Sequence, residues 1–227
     1  MKEFFLVRHV QSEHNVGQVE ENMSSKLTDK GIREAKQMGK YFKRFNIDCI
    51  ITSEATRTKE TARLISESMD FRGKIAHTPL LNETYYDMKI KEQTEFREGF
   101  NRLIREYERR YEGDPVGFFD NMEIVEKEVD KLAKHYHSES IEHIEKRLNE
   151  FLDYLEKMKC NKIIIITHSR VINILHNIIL GHPHLFYNIP TGRGYKPKGP
   201  GGLSRWRIED KNEYELLTPM STSHITS

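Results

Sequence analysis

The chain has 227 residues and a formal net charge of +1 at pH 7. Nucleic acids and acidic membranes usually bind proteins through a large basic excess, so this balance argues against both as the main partner. Charged residues make up 31% of the chain, which predicts a soluble globular protein in which any anion is bound at a local site. The length suits one α/β domain covering residues 1–227, with a core of useful size.

Two cysteines, Cys49 and Cys160, lie in apolar segments and cannot build a disulfide framework or a cysteine-rich metal site. The apolar run at residues 4–7 is too short for a signal peptide or a membrane span. We therefore expect a cytoplasmic protein that needs neither a metal nor another cofactor.

The first half of the chain alternates strand and helix patterns. Residues 4–7 and 48–52 are short apolar runs, typical of strands that are covered on both faces. A helix with Thr28 as its N-cap is predicted between them, and a second helix is predicted after Ser53. Residues 84–137 are rich in charges and irregularly spaced aromatics, and we interpret them as a helical insertion lying over the sheet.

The second half continues the alternation. An amphipathic helix is predicted after Ser138, a third buried strand at residues 163–166 and a helix from Val171 to Leu180. The pattern predicts a three-layer α/β/α sandwich with a mostly parallel, doubly wound sheet. Residues 203–208 and 214–217 alternate in polarity and predict a hairpin at the sheet edge, with Lys211 and Asn212 in its turn.

Basic and imidazole side chains follow the predicted strands at the edge where ligands bind in open α/β sheets. Arg8 and His9 end the first strand, Arg57 lies in the first turn after the second, and His168 follows the third. Arginines clamp phosphoryl oxygens in pairs of hydrogen bonds, and a neutral imidazole can attack phosphorus. The sequence therefore predicts a phosphoryl-transfer site at this edge.

Five ordered motifs resemble those of the histidine phosphatase superfamily, also called the phosphoglycerate mutase-like family. They are LVRHVQSEHN from Leu6, LTDKG from Leu27, SEATRTKETA from Ser53, LNE from Leu81 and THS from Thr167. The resemblance covers nearly the whole chain apart from the insertion. It implies a phosphatase that hydrolyses phosphate monoesters of a small metabolite or a phosphoprotein, without a metal, through a phosphohistidine intermediate.

The resemblance also implies a role for each matching residue. His9 would be phosphorylated, while Arg8, Arg57 and His168 would hold the phosphoryl oxygens. Glu83 would protonate the leaving oxygen and then activate water. The remaining substrate contacts would come from the following residues: Ser12, Asn15 and Ser169. Other acids near Glu83 that could take its role are the following: Asp87, Glu92 and Glu95.

Val10 replaces the glycine that the family has after its nucleophilic histidine. We expect this β-branched residue to resist the required backbone conformation and to narrow the phosphate pocket. Two other functions stay open. A phosphoglycerate mutase is the alternative within the fold, and a non-catalytic protein that binds a phosphorylated ligand is the alternative outside enzymes. The sequence does not indicate the oligomeric state.

Several other features have simpler interpretations. The glycine-rich stretch 192–202 lacks the Gly-Lys-Ser/Thr ending of a nucleotide-binding loop and is predicted to be a connector, with possible substrate contacts from Arg193, Tyr195 or Lys196. His182 and His184 are predicted to lie in a turn after a helix. The single tryptophan, Trp206, is predicted to pack in the core.

Overall fold

The computed structural model describes residues 2–19, 22–84, 90–112, 114, 117, 121–182, 199–210 and 213–225. Its strands are β1 (Lys2–Arg8), β2 (Cys49–Thr52), β3 (Lys74–His77), β4 (Lys162–Thr167), β5 (Leu203–Asp210) and β6 (Glu213–Ser221). Its helices are α1 (Asp29–Phe42), α2 (Thr56–Ser68), α3 (Ile90–Arg110), α4 (Met122–His135), α5 (Ile141–Lys157) and α6 (Ser169–Ile179). Short 3-10 helices lie at Glu13–Val16, Pro79–Leu81 and Ser223–Ile225.

The six strands form one mixed sheet in the order β3-β2-β4-β1-β5-β6. The first four strands in this order are parallel, whereas β5 and β6 form an antiparallel hairpin at the edge. The predicted α/β class and the edge hairpin are both confirmed. Residues 211 and 212, which were assigned to the hairpin turn, lie outside the described residues.

Alternate residues of the central strands face two different hydrophobic clusters. Phe4 and Leu6 of β1 pack in a cluster with helices α3 to α6, while Phe5 and Val7 pack in a cluster with α1 and α2. Helices on both faces of a sheet bury its strands completely, which is why β4 reads as an unbroken run of isoleucines. The predicted three-layer sandwich is therefore confirmed.

Helix ends follow the expected capping chemistry. Thr28 caps α1 by accepting a hydrogen bond at Oγ1 from the Gly31 amide at 3.1 Å. Helix α5 begins at Ile141, later than the pattern after Ser138 suggested, because Ser140 is its N-cap and accepts from the His143 amide. Helix α6 begins two residues before the predicted Val171.

The sequence did not predict strand β3. This four-residue strand lies at the edge of the sheet and pairs only with β2, so its side chains are partly or fully exposed. An edge strand without a buried face needs no apolar run, and only Ile75 and Ala76 are apolar here.

Helices α3 and α4 lie within residues 84–137, where the sequence predicted helical structure. Their buried side chains, including Phe96, Tyr107 and Val129, join the cluster that covers one face of the sheet. The division of the chain into one domain with an insertion stays a prediction.

Candidate active site

The strand register brings three predicted strand ends to the same level. Arg8 of β1 pairs with Thr167 of β4, and Thr52 of β2 pairs with the preceding residue, Ile166. The residue after each strand therefore leaves the sheet at the same carboxyl edge. These residues are His9, His168 and Ser53. The His9 amide still donates to the Thr167 carbonyl at 3.0 Å, which fixes the start of the first loop.

His9 is buried and has a defined partner at each ring nitrogen. Its Nδ1 lies 2.9 Å from the Val10 carbonyl oxygen, and the Arg57 Nε–H donates to its Nε2 at 3.3 Å. A carbonyl can only accept and a guanidinium can only donate, so these partners assign the proton to Nδ1 and a lone pair to Nε2. The nitrogen that faces Arg57 is therefore the one whose lone pair is available for nucleophilic attack.

The surroundings of His9 keep its imidazole neutral. Burial lowers the pKa of His9 well below its usual value of 6.5, and the charges of Arg57 and Arg8 lower it further. Only a neutral imidazole has the lone pair needed to attack phosphorus. Burial and the two arginines thus keep His9 neutral at neutral pH.

Arg57 bridges the two histidines. It lies in the first turn of α2, is fully buried, and donates from Nη2 to His168 Nδ1 at 3.1 Å as well as to His9. Its Nη1 donates to the Asn22 carbonyl at 2.7 Å, which anchors the guanidinium to the loop before α1. The two imidazole rings lie 5.3 Å apart between their centroids.

His168 is oriented by a chain of hydroxyl groups that the sequence analysis missed. Because its Nδ1 accepts from Arg57, its Nε2–H donates to Ser53 Oγ at 2.8 Å. Ser53 Oγ lies 2.8 Å from Thr58 Oγ1, and Thr58 Oγ1 donates to the Ala55 carbonyl at 2.7 Å. The four side chains linked in this way are all buried: Arg57, His168, Ser53 and Thr58.

A sequence signal existed for only one of these hydroxyls. Ser53 follows a buried strand directly and opens one of the family motifs, which marks it as a polar residue at the ligand-binding edge. Nothing in the sequence distinguishes Thr58 from other threonines of α2.

The surroundings of His168 lower its pKa well below 6.5, through burial first and then through the charges of Arg57 and the neighbouring groups.

Two helices begin at the same edge of the sheet. Helix α2 follows β2 with Ala55 as N-cap, and α6 follows β4 with His168 as N-cap; within the described chain neither N-cap residue makes a side-chain capping hydrogen bond. Ser169 is the first residue of α6. The helix dipole favours an anion at such ends, which adds to the positive charge of the arginines, although the Thr56 amide of α2 already donates to the Met23 carbonyl at 2.8 Å.

Arg8 lies close enough to both histidines for its charge to lower the pKa of each. Its backbone amide donates to the Gly202 carbonyl at 2.8 Å, and the Gly201 amide donates to the His9 carbonyl at 3.1 Å. The end of the glycine-rich stretch therefore packs against Arg8 and His9 through its backbone. Gly201 has a φ of 75°, a conformation that favours glycine.

Ser12 and Asn15 bond to one another at the start of the Glu13–Val16 helix. The amide and the hydroxyl of Ser12 each lie 3.0 Å from Asn15 Oδ1, which forms a capping arrangement. These bonds fix the loop that follows His9. Contact of the two side chains, or of Ser169, with substrate stays a prediction.

Glu83 follows the Pro79–Leu81 helix, which is tied to the catalytic edge because Thr167 Oγ1 donates to the Leu81 carbonyl at 2.7 Å. The Glu83 carboxylate is half-buried and accepts from the Thr84 amide at 3.0 Å. Of the alternatives, Glu92 and Glu95 lie on α3, and Asp87 lies outside the described residues.

The expectation for Val10 is wrong. Its side chain is fully buried in the hydrophobic cluster that contains Ala35, Met38 and Leu203, so it points into the core. Among the described non-glycine residues only Asp70 and His137 have a positive φ, so Val10 adopts an ordinary backbone conformation. A β-branched residue is therefore accommodated after His9 without strain.

The remaining predictions concern the end of the chain. Trp206 is fully buried and its indole Nε1 donates to Ser204 Oγ at 3.0 Å, which confirms a packing role. The His182 amide donates to the Asn177 carbonyl in the turn after α6, as predicted. The following residues lie outside the described part of the chain: His184, Arg193, Tyr195 and Lys196.

The described residues contain no group of three or more His, Cys, Asp or Glu side chains arranged to hold a metal ion. None of the described helices is long and apolar enough to span a membrane.

Two histidines and an arginine are buried at the carboxyl edge of a mostly parallel α/β sheet, where they form a site suited to binding a phosphoryl group. Residues 4–192 match the histidine phosphatase superfamily (branch 1), and the chain belongs to this family. The predicted resemblance is thereby confirmed.

Named relatives include both phosphatases and mutases. The uncharacterized phosphatase PhoE of Bacillus subtilis is 29% identical over 128 residues, which cover 56% of this chain and 58% of that protein. The adenosylcobalamin/alpha-ribazole phosphatase of Salmonella typhi is 25% identical over 185 residues, 79% of this chain and 80% of that protein. The matched regions span less than two thirds of the length of several curated relatives.

Solved structures support the same fold. The crystal structure of phosphoglycerate mutase from Bacillus anthracis superposes with a TM-score of 0.74 at 13% identity, covering 99% of this chain and 95% of that one. At this identity the likeness concerns the fold alone.

Proposed function

We propose that this protein is a phosphatase that hydrolyses phosphate monoesters of small molecules through a phosphohistidine formed on His9. The observation that carries the proposal is the state of His9. Its Nε2 has a lone pair, is buried and lies against Arg57, while Nδ1 is fixed by the Val10 carbonyl. An imidazole held neutral beside two cationic side chains is suited to attack a dianionic phosphoryl group.

In the first step the His9 Nε2 lone pair attacks phosphorus, and the P–O bond to the leaving group breaks. Glu83 donates a proton to the departing oxygen, so that an alcohol leaves. Arg8 and Arg57 stabilise the charge on the three remaining oxygens, and no metal is required in this scheme. Arg57 must turn its Nε–H from His9 to a phosphoryl oxygen, and their 3.3 Å hydrogen bond is long enough to exchange readily.

In the second step water attacks the phosphohistidine, and Glu83, now a carboxylate, accepts the proton from that water. The P–N bond breaks, which returns His9 as a neutral imidazole and releases inorganic phosphate. His168 has its Nε2–H committed to Ser53 and a lone pair at Nδ1. It therefore orients Arg57 in this structure. To donate to a phosphoryl oxygen it needs a proton at Nδ1, which it gains by protonation or by a change of tautomer in which Ser53 donates to Nε2.

The decisive experiment is to trap the intermediate. Wild-type protein quenched with alkali during turnover of p-nitrophenyl phosphate should contain phosphohistidine that acid removes. The His9→Ala variant should contain no phosphohistidine and should not hydrolyse the substrate. His143→Ala removes an exposed imidazole of α5 and should leave both readouts unchanged. Activity that EDTA abolishes and Mg²⁺ restores, or an active His9→Ala variant, would contradict the proposal.

The role of Glu83 is tested by changing the leaving group. An alkoxide leaves poorly and needs the proton, whereas p-nitrophenolate leaves unaided. Glu83→Gln should therefore slow phosphorylation by an alkyl phosphate about 10²–10⁴-fold and by p-nitrophenyl phosphate far less, measured as the burst phase. Glu98→Gln, which changes an exposed acid on α3 that is not a candidate for this role, is the matched control. Equal slowing with both substrates would remove Glu83 from the role of general acid.

The mutase is the second candidate, because named relatives include probable phosphoglycerate mutases. A mutase returns the phosphoryl group to a second hydroxyl of the product before water can take it. We expect the protein to release inorganic phosphate from 3-phosphoglycerate faster than it forms the 2-phosphate isomer. The reverse ratio would favour the mutase.

A further inference from the structure

Arg170 lies beside the proposed active site and is not used in the proposed steps. It is the second residue of α6, directly after His168 and Ser169. Its Nη1 donates to Thr84 Oγ1 at 3.4 Å, and its guanidinium carbon lies 5.4 Å from the centre of the Phe100 ring on α3. The side chain therefore reaches from the catalytic edge towards the helices of the predicted insertion.

One residue joins Arg170 to Glu83. Thr84 is 97% buried, its hydroxyl accepts from Arg170, and its backbone amide donates to Glu83 Oε1 at 3.0 Å. A general acid must lie at the bridging oxygen of the ester, because that oxygen takes its proton. Thr84 thus links the Arg170 guanidinium to Glu83, the residue that the proposed mechanism assigns to the leaving-group side of the phosphoryl group.

We propose that Arg170 binds a second anionic group on the leaving group, so that the preferred substrates are phosphate monoesters bearing a carboxylate or a second phosphate. The proposal deepens the proposed function and rests on it. A planar guanidinium suits both anions because it offers parallel N–H donors. The chain as a whole has a net charge of only +1, so a preference for such substrates must come from local cations.

Phe100 and Thr84 act as positioning residues. The aromatic ring attracts the guanidinium through its π face and limits the directions that the side chain can take. The 3.4 Å bond to Thr84 is long, so a charged acceptor on the substrate can replace it at small cost. In this way α3 contributes to substrate choice without contacting the phosphoryl group.

Three esters with a common three-carbon chain test the proposal: propyl phosphate, 3-phosphoglycerate and propane-1,3-diol bisphosphate. Wild-type protein should prefer the two substrates with an additional anion. Arg170→Gln should lower their kcat/KM about 10- to 100-fold, mainly through KM, and lower that of propyl phosphate less than about 3-fold. Arg170→Lys should recover part of the loss, and the two anionic esters show which anion is favoured.

Arg63→Gln makes the same charge change on the exposed face of α2, where Arg63 pairs with Glu67, and should leave the preference unchanged. A loss that is equal for all three esters, or wild-type protein without the preference, would overturn the role of Arg170. Failure of the proposed function would look different, since no ester would be hydrolysed and no phosphohistidine would form. Binding of the same esters to His9→Ala with and without Arg170→Gln measures recognition independently of turnover.

Discussion

Burial of two neutral histidines should make the stability of the protein depend on pH in a defined direction. The pKa values of His9 and His168 are both lowered well below 6.5, so the folded protein leaves them neutral at a pH where the unfolded chain protonates them. The unfolded state then binds more protons, and stability falls as the pH falls. The loss of stability begins at about pH 6.5, the pKa of a histidine in the unfolded chain, and continues down to the lowered pKa values of the folded protein.

The size of the effect follows from linkage. Each pH unit below 6.5 costs up to about 1.4 kcal/mol for each such histidine, so the pair should cost up to about 3 kcal/mol at pH 5.5. A domain of ordinary stability has only about 5–15 kcal/mol in total. Between pH 7.5 and 5.5 most carboxylates remain ionised, which leaves the histidines as the main groups that titrate.

Urea denaturation of wild type and of the double variant His9→Asn, His168→Asn at pH 7.5, 6.5 and 5.5 measures the effect. The wild type should lose more free energy of unfolding towards pH 5.5 than the double variant does, by about the amount above. His77 and His224, whose pKa values burial also lowers, are present in both proteins and cancel in the comparison. His143→Asn should behave as wild type, and equal pH profiles for wild type and double variant would refute a neutral buried pair.

Three further predictions concern residues around the site. Ser53→Ala leaves the buried Nε2–H of His168 without its acceptor and should cost about 1–3 kcal/mol in urea denaturation, together with a lower kcat/KM on every ester. Val10→Gly removes a core side chain and should cost about 2–3 kcal/mol while leaving the relative kcat/KM of large and small esters unchanged. Arg147→Met breaks a partly buried ion pair with Glu139 and should cost about 3–5 kcal/mol, measured by thermal or urea denaturation.

The parallel part of the sheet could be predicted because its strands are buried on both faces. Continuous apolar runs in β1, β2 and β4 then leave a clear trace in the sequence, and each strand ends at a polar motif. Strand β3 is exposed at the sheet edge and carries no such trace. Among the parallel strands, burial thus decided which ones the sequence revealed, whereas the hairpin strands β5 and β6 were revealed by their alternating polarity.

The histidines and the arginine of the candidate site could be predicted, but their supporting contacts could not. Position after a strand identified His9 and His168, because the carboxyl ends of parallel strands meet at one edge. The link from His168 through Ser53 to Thr58 depends on how α2 packs against the end of β2, which no local pattern encodes. Val10 shows the same limit, since its neighbours in the core come from α1 and β5, which are distant in sequence.

Arg57 bonds to both histidines in the free protein and is also proposed to bind the phosphoryl group. Its guanidinium donates to both histidines and to the Asn22 carbonyl, so it already lies between the two imidazoles before any phosphoryl group arrives. A phosphoryl oxygen competes with two neutral imidazole nitrogens for these donors, and a charged acceptor forms the stronger bond. In the proposed mechanism, binding therefore releases the His9 lone pair from Arg57 when the phosphorus atom comes within reach. The guanidinium that bonds to the His9 lone pair in the free protein would then stabilise the charge that the attack creates.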